Sequence, residues 1–305
     1  MHPACAGHIK NPYLSRMYDI CCIGHITSDK IVTPQASNYL PGGTAYYFSC
    51  ALSKLDTSYL LVTSLAPAEM HYVDELRAKG INIKVQPGKG TVFFENIYGE
   101  NPDDRTQNVL QTADTFTMEQ LRDVDAQIFH IGPLLADDIT LDFIETLSTK
   151  GRISLDVQGY LRKVVNQKVY PVDWPEKQQA LQHVSILKAD VAELQALTGC
   201  PTVADGAKLV ANWGVKEVII TNGSKGSMVY SDGSFYTISA YPPPVVADAT
   251  GCGDTYMAGY LYRRIKGDGI QQSGEFAAAM AGLKTAANGA FEGTEADVLQ
   301  FKAGI

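Results

Sequence analysis

The sequence predicts an α/β fold, with a central, mainly parallel sheet flanked by helices and a small β-hairpin lid. Three observations predict it. Short apolar runs alternate with segments whose apolar residues recur at helical spacing, as βαβ units require. Several runs, residues 18–24 and 59–63 among them, are largely apolar without alternation, like strands buried on both faces. One pair of strands, 91–98 and 105–110, instead alternates apolar with polar and therefore has one open face.

Residues 1–17 hold His, Lys, Asn, Pro, Ser and Arg without an apolar stretch. They read as an extension ahead of the fold rather than a signal peptide, and Met17 is a second candidate start. Residues 18–305 then read as one domain, with the lid drawn from about 30–40 and 90–111. After the first strand, Leu40-Pro41-Gly42-Gly43-Thr44 leads into a helix with Tyr47, Phe48, Ala51, Leu52 and Leu55 on one face. That spacing makes Tyr47 and Phe48 core residues. Strands at 59–63 and 81–85 bracket a helix at 70–79. The hairpin follows, joined by a polar loop at 99–104, with Arg105 as a solvated charge. Further strands fall at 128–131, 153–157, 184–188, 218–221 and 228–230, with helices near 139–147, 190–198 and 205–213. Two helices, about 254–266 and 274–288, close the chain.

Composition bounds the function. The 305 residues are 45% hydrophobic and 19% charged, which is globular and soluble. A net charge of −8 argues against nucleic acid or an anionic membrane as the main partner. No run is long and apolar enough to span a membrane. Six cysteines without CxxC spacing indicate reduced thiols and a cytoplasmic protein. The six histidines lack paired zinc spacing and read as structural or surface residues. Two familiar glycine motifs fail. Pro87-Gly88-Lys89-Gly90-Thr91 lacks the first glycine of a P-loop, and Tyr256 stands where a dinucleotide fingerprint starting at Gly251 needs its third glycine.

Asp248-Ala249-Thr250-Gly251-Cys252-Gly253-Asp254 carries the chemistry. Met257, Tyr260, Leu261 and Ile265 form one apolar helix face directly after it, so the glycine-rich turn sits at a helix N-terminus. Backbone N–H groups there lack intrahelical partners and face the positive end of the dipole, which suits an anion. A carboxylate beside such a site has one evident task, to take a proton from an attacking hydroxyl. Cys252 occupies a place where a thiol pKa falls.

Several motifs, in order, resemble the PfkB, ribokinase-like carbohydrate kinases over residues 18–292. They are Gly24-His25-Ile26-Thr27-Ser28-Asp29, Pro41-Gly42-Gly43-Thr44-Ala45, Asp156-Val157-Gln158-Gly159-Tyr160-Leu161-Arg162, Lys188-Ala189-Asp190-Val191-Ala192-Glu193 with Leu197-Thr198-Gly199, Thr221-Asn222-Gly223-Ser224-Lys225-Gly226, and the stretch ending in Asp254. The resemblance implies a ribokinase-like fold and transfer of a phosphoryl group from ATP to an alcohol on a sugar or polyol, with a nucleoside or inositol kinase, or a non-catalytic sensor, as alternatives. It implies Asp254 as general base, with Gly251, Cys252 and Gly253 as an anion hole. Asp29, Gly42 and Gly43 would bind the acceptor. Asp190, Thr221, Gly223, Gly226, Gly251 and Gly253 would border ATP. Glu193 would help hold Mg2+ through water, and Asp248 and Thr250 match positions that hold a monovalent cation such as K+. Ala249 and Cys252 depart from the usual Thr or Pro and Ala, and Asp190 from the usual Asn. Tyr46 or Tyr47, and Gly132, stand near positions that contact ribose in ribokinase and count against ribose here. The hairpin's open face, with Val92, Phe94 and Val109, predicts a homodimer through the lid.

Overall fold

The computed structural model describes residues 17–32, 37–98 and 105–304. Most of the expected N-terminal extension and the hairpin loop at 99–104 lie outside the described residues, as does the side chain of Arg105.

The strands run β1 Tyr18–Gly24, β2 Thr27–Val32, β3 Ser37–Gly42, β4 Tyr59–Leu65, β5 Asn82–Pro87, β6 Val92–Tyr98, β7 Arg105–Gln111, β8 Ala126–Gly132, β9 Arg152–Asp156, β10 Arg162–Val165, β11 Lys168–Pro171, β12 Ile186–Asp190, β13 Glu217–Thr221, β14 Ser227–Ser231 and β15 Ser234–Ile238. The helices are α1 Gly43–Leu52, α2 Met70–Ala78, α3 Leu141–Ser148, α4 Lys177–Leu181, α5 Val191–Thr198, α6 Val203–Asn212, α7 Cys252–Ile265, α8 Ile270–Thr285 and α9 Glu295–Ala303.

Nine strands form the main sheet in the order β15-β14-β13-β12-β9-β8-β1-β4-β5. All its pairings are parallel except those of β14 with β13 and β15. Alternation along β1 shows why its sequence is apolar from Ile20 to Ile23. Ile20 and Cys22 join a core with Phe48, Met257, Tyr260 and Phe276 from α1, α7 and α8. Cys21 and Ile23 face a second core with Ile144, Leu194 and Val210 from α3, α5 and α6. A strand covered on both faces has no polar side to show. The buried histidine of β8 fits the structural reading. His130 has no exposed surface, and burial pushes its pKa down to about 4, so the ring stays neutral.

The strand order reverses around β1 and β8, whose last residues Gly24 and Gly132 pair side by side. A crevice at such a reversal, outside the carboxyl ends of the strands, is where open α/β sheets bind ligands. At Gly132 an added Cβ would collide with Thr44 at the start of α1, so no side chain fits there.

Six strands make the second sheet, in the order β10-β11-β7-β6-β2-β3. A small core of Val92, Phe94, Val109, Leu134 and Leu135 lies beneath it, so the three hairpin residues expected on an open face are buried instead. Strands β10 and β11 widen this sheet beyond the expected hairpin. They are four residues each, too short to show a period, and they pair in register around Asn166 and Gln167, both at positive φ. The sequence also predicts that the helix after residue 274 ends the chain, but α9 follows it. Only Val298 of α9 is buried, so it has little apolar face to read. Its signal is the reciprocal cap of Thr294 and Asp297.

Candidate active site

The turn ahead of α7 is built by one backbone choice. Gly251 caps the helix at φ 74°, a left-handed conformation, and the ring of Tyr47 fills the space its Cβ would need. Glycine meets both demands without strain. The Cys252 amide donates back to the Ala249 carbonyl at 3.2 Å, while the amides of Gly251 and Gly253 meet no acceptor among the described residues. Two open donors at a helix N-terminus make an anion seat. The thiol of Cys252 does not become reactive there. Burial pushes its pKa up to about 11, and the opposing charge of Lys284 is too weak to reverse this.

Asp254 lies on the first turn of α7, partly open to the cleft but closely hemmed by protein. Burial pushes its pKa up to about 7, with the Asp156 carboxylate adding to the rise and Lys188 and a hydrogen bond with Thr44 opposing it. A carboxyl poised near neutrality is suited to general base chemistry.

Two cavities meet at this turn. The first, about 470 Å³ and mostly apolar, is bordered by Thr221, Gly226, Tyr241, Val246, Ala278 and Gly282. Asp190, Gly223 and Gly253 also line it, so the residues expected to border a nucleotide come together here, apart from Gly251. The second, about 740 Å³ and mostly polar, is bordered by Asp29, Gly43, Tyr47, Gln158, Arg162 and Asp254. Lys188, Ala249, Cys252 and Gly253 line both cavities and form their common wall.

Asp29 reaches the polar cavity from β2, where it accepts a hydrogen bond from Thr27 at 2.6 Å. Gly42 does not line the cavity but stands behind Asp29, where an added Cβ would come within 2.5 Å of its Oδ2. Tyr47 is a cavity wall rather than the core residue its spacing suggests, whereas Phe48 is fully buried. Asp156, Gln158 and Arg162 also border this cavity. Their motif is visible in the sequence, but its spacing alone assigns these three residues no role.

Beneath the common wall, Lys188 donates to Asp156 at 2.9 Å, with Glu193 at 3.8 Å. Glu193 also accepts from the Asp190 amide at 2.7 Å and from Gln158 at 3.1 Å. It is the N3 residue of a capping box that starts α5. Burial raises the Glu193 pKa, and the Lys188 charge opposes it. Among the described residues no three His, Cys, Asp or Glu groups could enclose a metal directly. Carboxylates that are already engaged suit a hydrated Mg2+ arriving on phosphates rather than a protein cage.

Asp248 and Thr250 do not form an open cation site. The Thr250 amide donates to Asp248 Oδ1 at 2.8 Å, and the Gly289 amide to Oδ2 at 3.2 Å. The buried Lys284 ammonium donates to the Asp248 carbonyl at 2.8 Å and to Oδ2 at 3.1 Å.

A sheet layered between helices on both faces, a turn suited to an anion and a carboxyl beside it describe a phosphotransferase. The chain belongs to the pfkB family of carbohydrate kinases, matching the pfkB family carbohydrate kinase over residues 13–297. Members transfer a phosphoryl group to an alcohol. A cytidine kinase of Thermococcus kodakarensis is 26% identical over 265 residues, covering 84% of this chain and 92% of the relative. A pyrophosphate-dependent kinase of the ribokinase family, solved with a pyrophosphate analogue and myo-inositol, superposes with a TM-score of 0.81 at 26% identity, covering 92% and 99% of the two chains. Arabidopsis thaliana ribokinase, solved with ribose and ATP, shares the fold with a TM-score of 0.75 at 20% identity, covering 94% and 99%. No helix among the described residues is long and apolar enough to cross a membrane.

Proposed function

We propose that this protein transfers the γ-phosphoryl group of ATP to a hydroxyl of a small sugar or polyol, with Asp254 as general base. One observation carries the reading: Asp254 faces the polar cavity beside the wall that this cavity shares with the apolar one. The apolar cavity takes the base and ribose of the donor, bordered by Asp190, Thr221, Gly223 and Gly226. Its volume and apolar lining support a nucleotide over bare pyrophosphate, which has no apolar part to bury. The phosphoryl group lies on the amides of Gly251 and Gly253, which stabilise charge as it develops. Asp29 and Gly43 position the acceptor, and Asp254 takes its proton. Glu193 and Asp156 would hold a hydrated Mg2+, which would supply charge neutralisation for the donor phosphates. Potassium is no part of this reading, because Lys284 already occupies the Asp248 oxygens.

The second sheet acts as a lid that excludes water from the acceptor cavity. It also offers a second copy of the chain an exposed edge at Tyr39 and Leu40 on β3, giving a homodimer through the lid that sedimentation would test. The free cysteines among the described residues support a cytoplasmic setting.

A nucleoside acceptor is the second reading, favoured by Tyr47 and Phe94, which give the polar cavity aromatic walls suited to a base. A panel of sugars, inositols and nucleosides, read by ADP release, decides between the two. The Asp254→Asn variant should lose turnover by orders of magnitude while still binding ATP. Unchanged turnover would remove Asp254 as the base.

A further inference from the structure

The family resemblance assigns a monovalent cation to Asp248 and Thr250, and the residues around them do not fit one. Such a site needs oxygens free to replace the ion's water shell. Here both Asp248 side-chain oxygens and its carbonyl already accept hydrogen bonds from within the protein. One of the donors is itself a cation. Lys284 stands on the last turn of α8, its side chain has no solvent exposure, and its Nζ makes two contacts to Asp248. The neighbouring carbonyl of Thr285 accepts from the amides of Ala247 at 2.7 Å and Asp248 at 3.3 Å. The end of α8 is therefore strapped to the loop that leads into the anion seat.

We infer that the Lys284 ammonium takes the place of the monovalent cation, so that this kinase carries its own cation and works without K+. Lys284 is a positioning residue. It touches neither cavity; it holds Asp248, and Asp248 holds the Thr250 amide one residue ahead of Gly251. An entering K+ would meet a like charge that has no route to water. The Lys284 charge also reaches the seat itself, where it opposes the burial that raises the Cys252 thiol.

The inference rests on the donor-site reading above, and the test separates the two. The protein is melted, and its ATP-analogue affinity is measured by calorimetry, in KCl and in choline chloride at equal ionic strength. Neither readout needs a known acceptor. Equal Tm and equal affinity in the two salts are expected, and a rise of either that is specific to K+ overturns the inference. A protein that binds no nucleotide in either salt counts against the donor reading, while the melting curves still decide on potassium. Lys284→Ala opens the site. Its nucleotide affinity should fall about tenfold in choline, the size of a lost contact of about 1.4 kcal/mol, and recover in KCl or NH4Cl. Lys284→Met, which fills the space without a charge, should fall similarly and not recover. A folded Lys284→Ala protein that matches the parent in choline, or that no small cation rescues, overturns the inference. If neither variant folds, the parent's two salts alone decide it.

Discussion

Lys188 donates to Asp156 at 2.9 Å inside the wall shared by the two cavities, and both side chains are almost wholly buried. The pair sets the charge of the site. Burial raises the pKa of Glu193 and of Asp254, the Asp156 carboxylate adds to both rises, and Lys188 is the cation that opposes them. Removing it leaves uncompensated buried charge. Lys188→Met should cost about 3–5 kcal/mol of stability in urea unfolding. The double variant Lys188→Met, Asp156→Leu should recover much of that, because replacing both partners removes the lone charge. Equal loss in the single and double variants would mean that packing rather than charge is at stake.

The pH dependence of turnover follows from Asp254. With its pKa pushed up to about 7, kcat/KM should rise with pH along a single limb centred near that value. The limb should move to higher pH in a mild Lys188 variant such as Lys188→Gln, since the Lys188 charge holds the Asp254 pKa down. A limb that stays put with Lys188 altered would detach it from Asp254.

Stability should run the other way. The folded Asp254 pKa lies above the ordinary 3.8, so the folded chain keeps this proton longer than the unfolded chain. The group's contribution is therefore fully present below pH 3.8 and lost as pH rises through about 7. Asp254→Asn escapes that loss. It should be more stable than the parent above pH 7, by an amount on the order of a few kcal/mol, with the gap closing toward pH 4. Melting curves across pH measure it. A variant less stable than its parent at pH 8 would contradict the assigned cause.

Positions that depend on local order were legible in the chain. Gly251 and Asp254 belong to one turn, and their spacing from the apolar face of α7 places them at a helix start. Asp29 reads from its own strand. Residues whose roles depend on meeting across the fold were not. Lys284 and Asp248 are 36 positions apart, and Lys188 and Asp156 are 32 apart. No periodicity signals either pair. Tyr47 failed for a related reason. Helical spacing says which face of α1 it shares with Phe48, but not that the end of this face opens onto Gly251. Strands β10 and β11 carry too few residues for alternation to mark them.

Gly251→Ala tests how the anion seat is shaped. The substitution puts a Cβ at φ 74° and against the Tyr47 ring. The backbone alone costs about 1–2 kcal/mol, and the collision displaces the turn that carries the Gly253 amide. A lower Tm and a fall in kcat larger than any rise in acceptor KM are expected. Adding Tyr47→Ala should relieve the collision but not the backbone cost, recovering part of the Tm. Strictly additive losses would mean that the ring and the turn do not press on each other.

A variant of Asp29 tests whether acceptor binding can be separated from donor binding. Asp29 borders only the polar cavity, on a strand of the second sheet, whereas Thr221 and Gly226 border only the apolar one. A carboxylate that accepts from an acceptor hydroxyl contributes about 1.5–3 kcal/mol. Asp29→Ala should therefore lower kcat/KM for the acceptor by roughly 10–100-fold, chiefly through KM, with ATP-analogue affinity unchanged. Arg162 borders the same cavity from β10 and distinguishes acceptor classes. If the acceptor is an uncharged polyol, Arg162→Gln should act mildly, because a neutral donor can replace the guanidinium at a hydroxyl. If the acceptor carries a carboxylate or phosphate, that change should cost more than Asp29→Ala, since a charge-assisted bond is lost. The ratio of the two effects, measured on whichever acceptor the panel finds, reads the charge of the natural substrate.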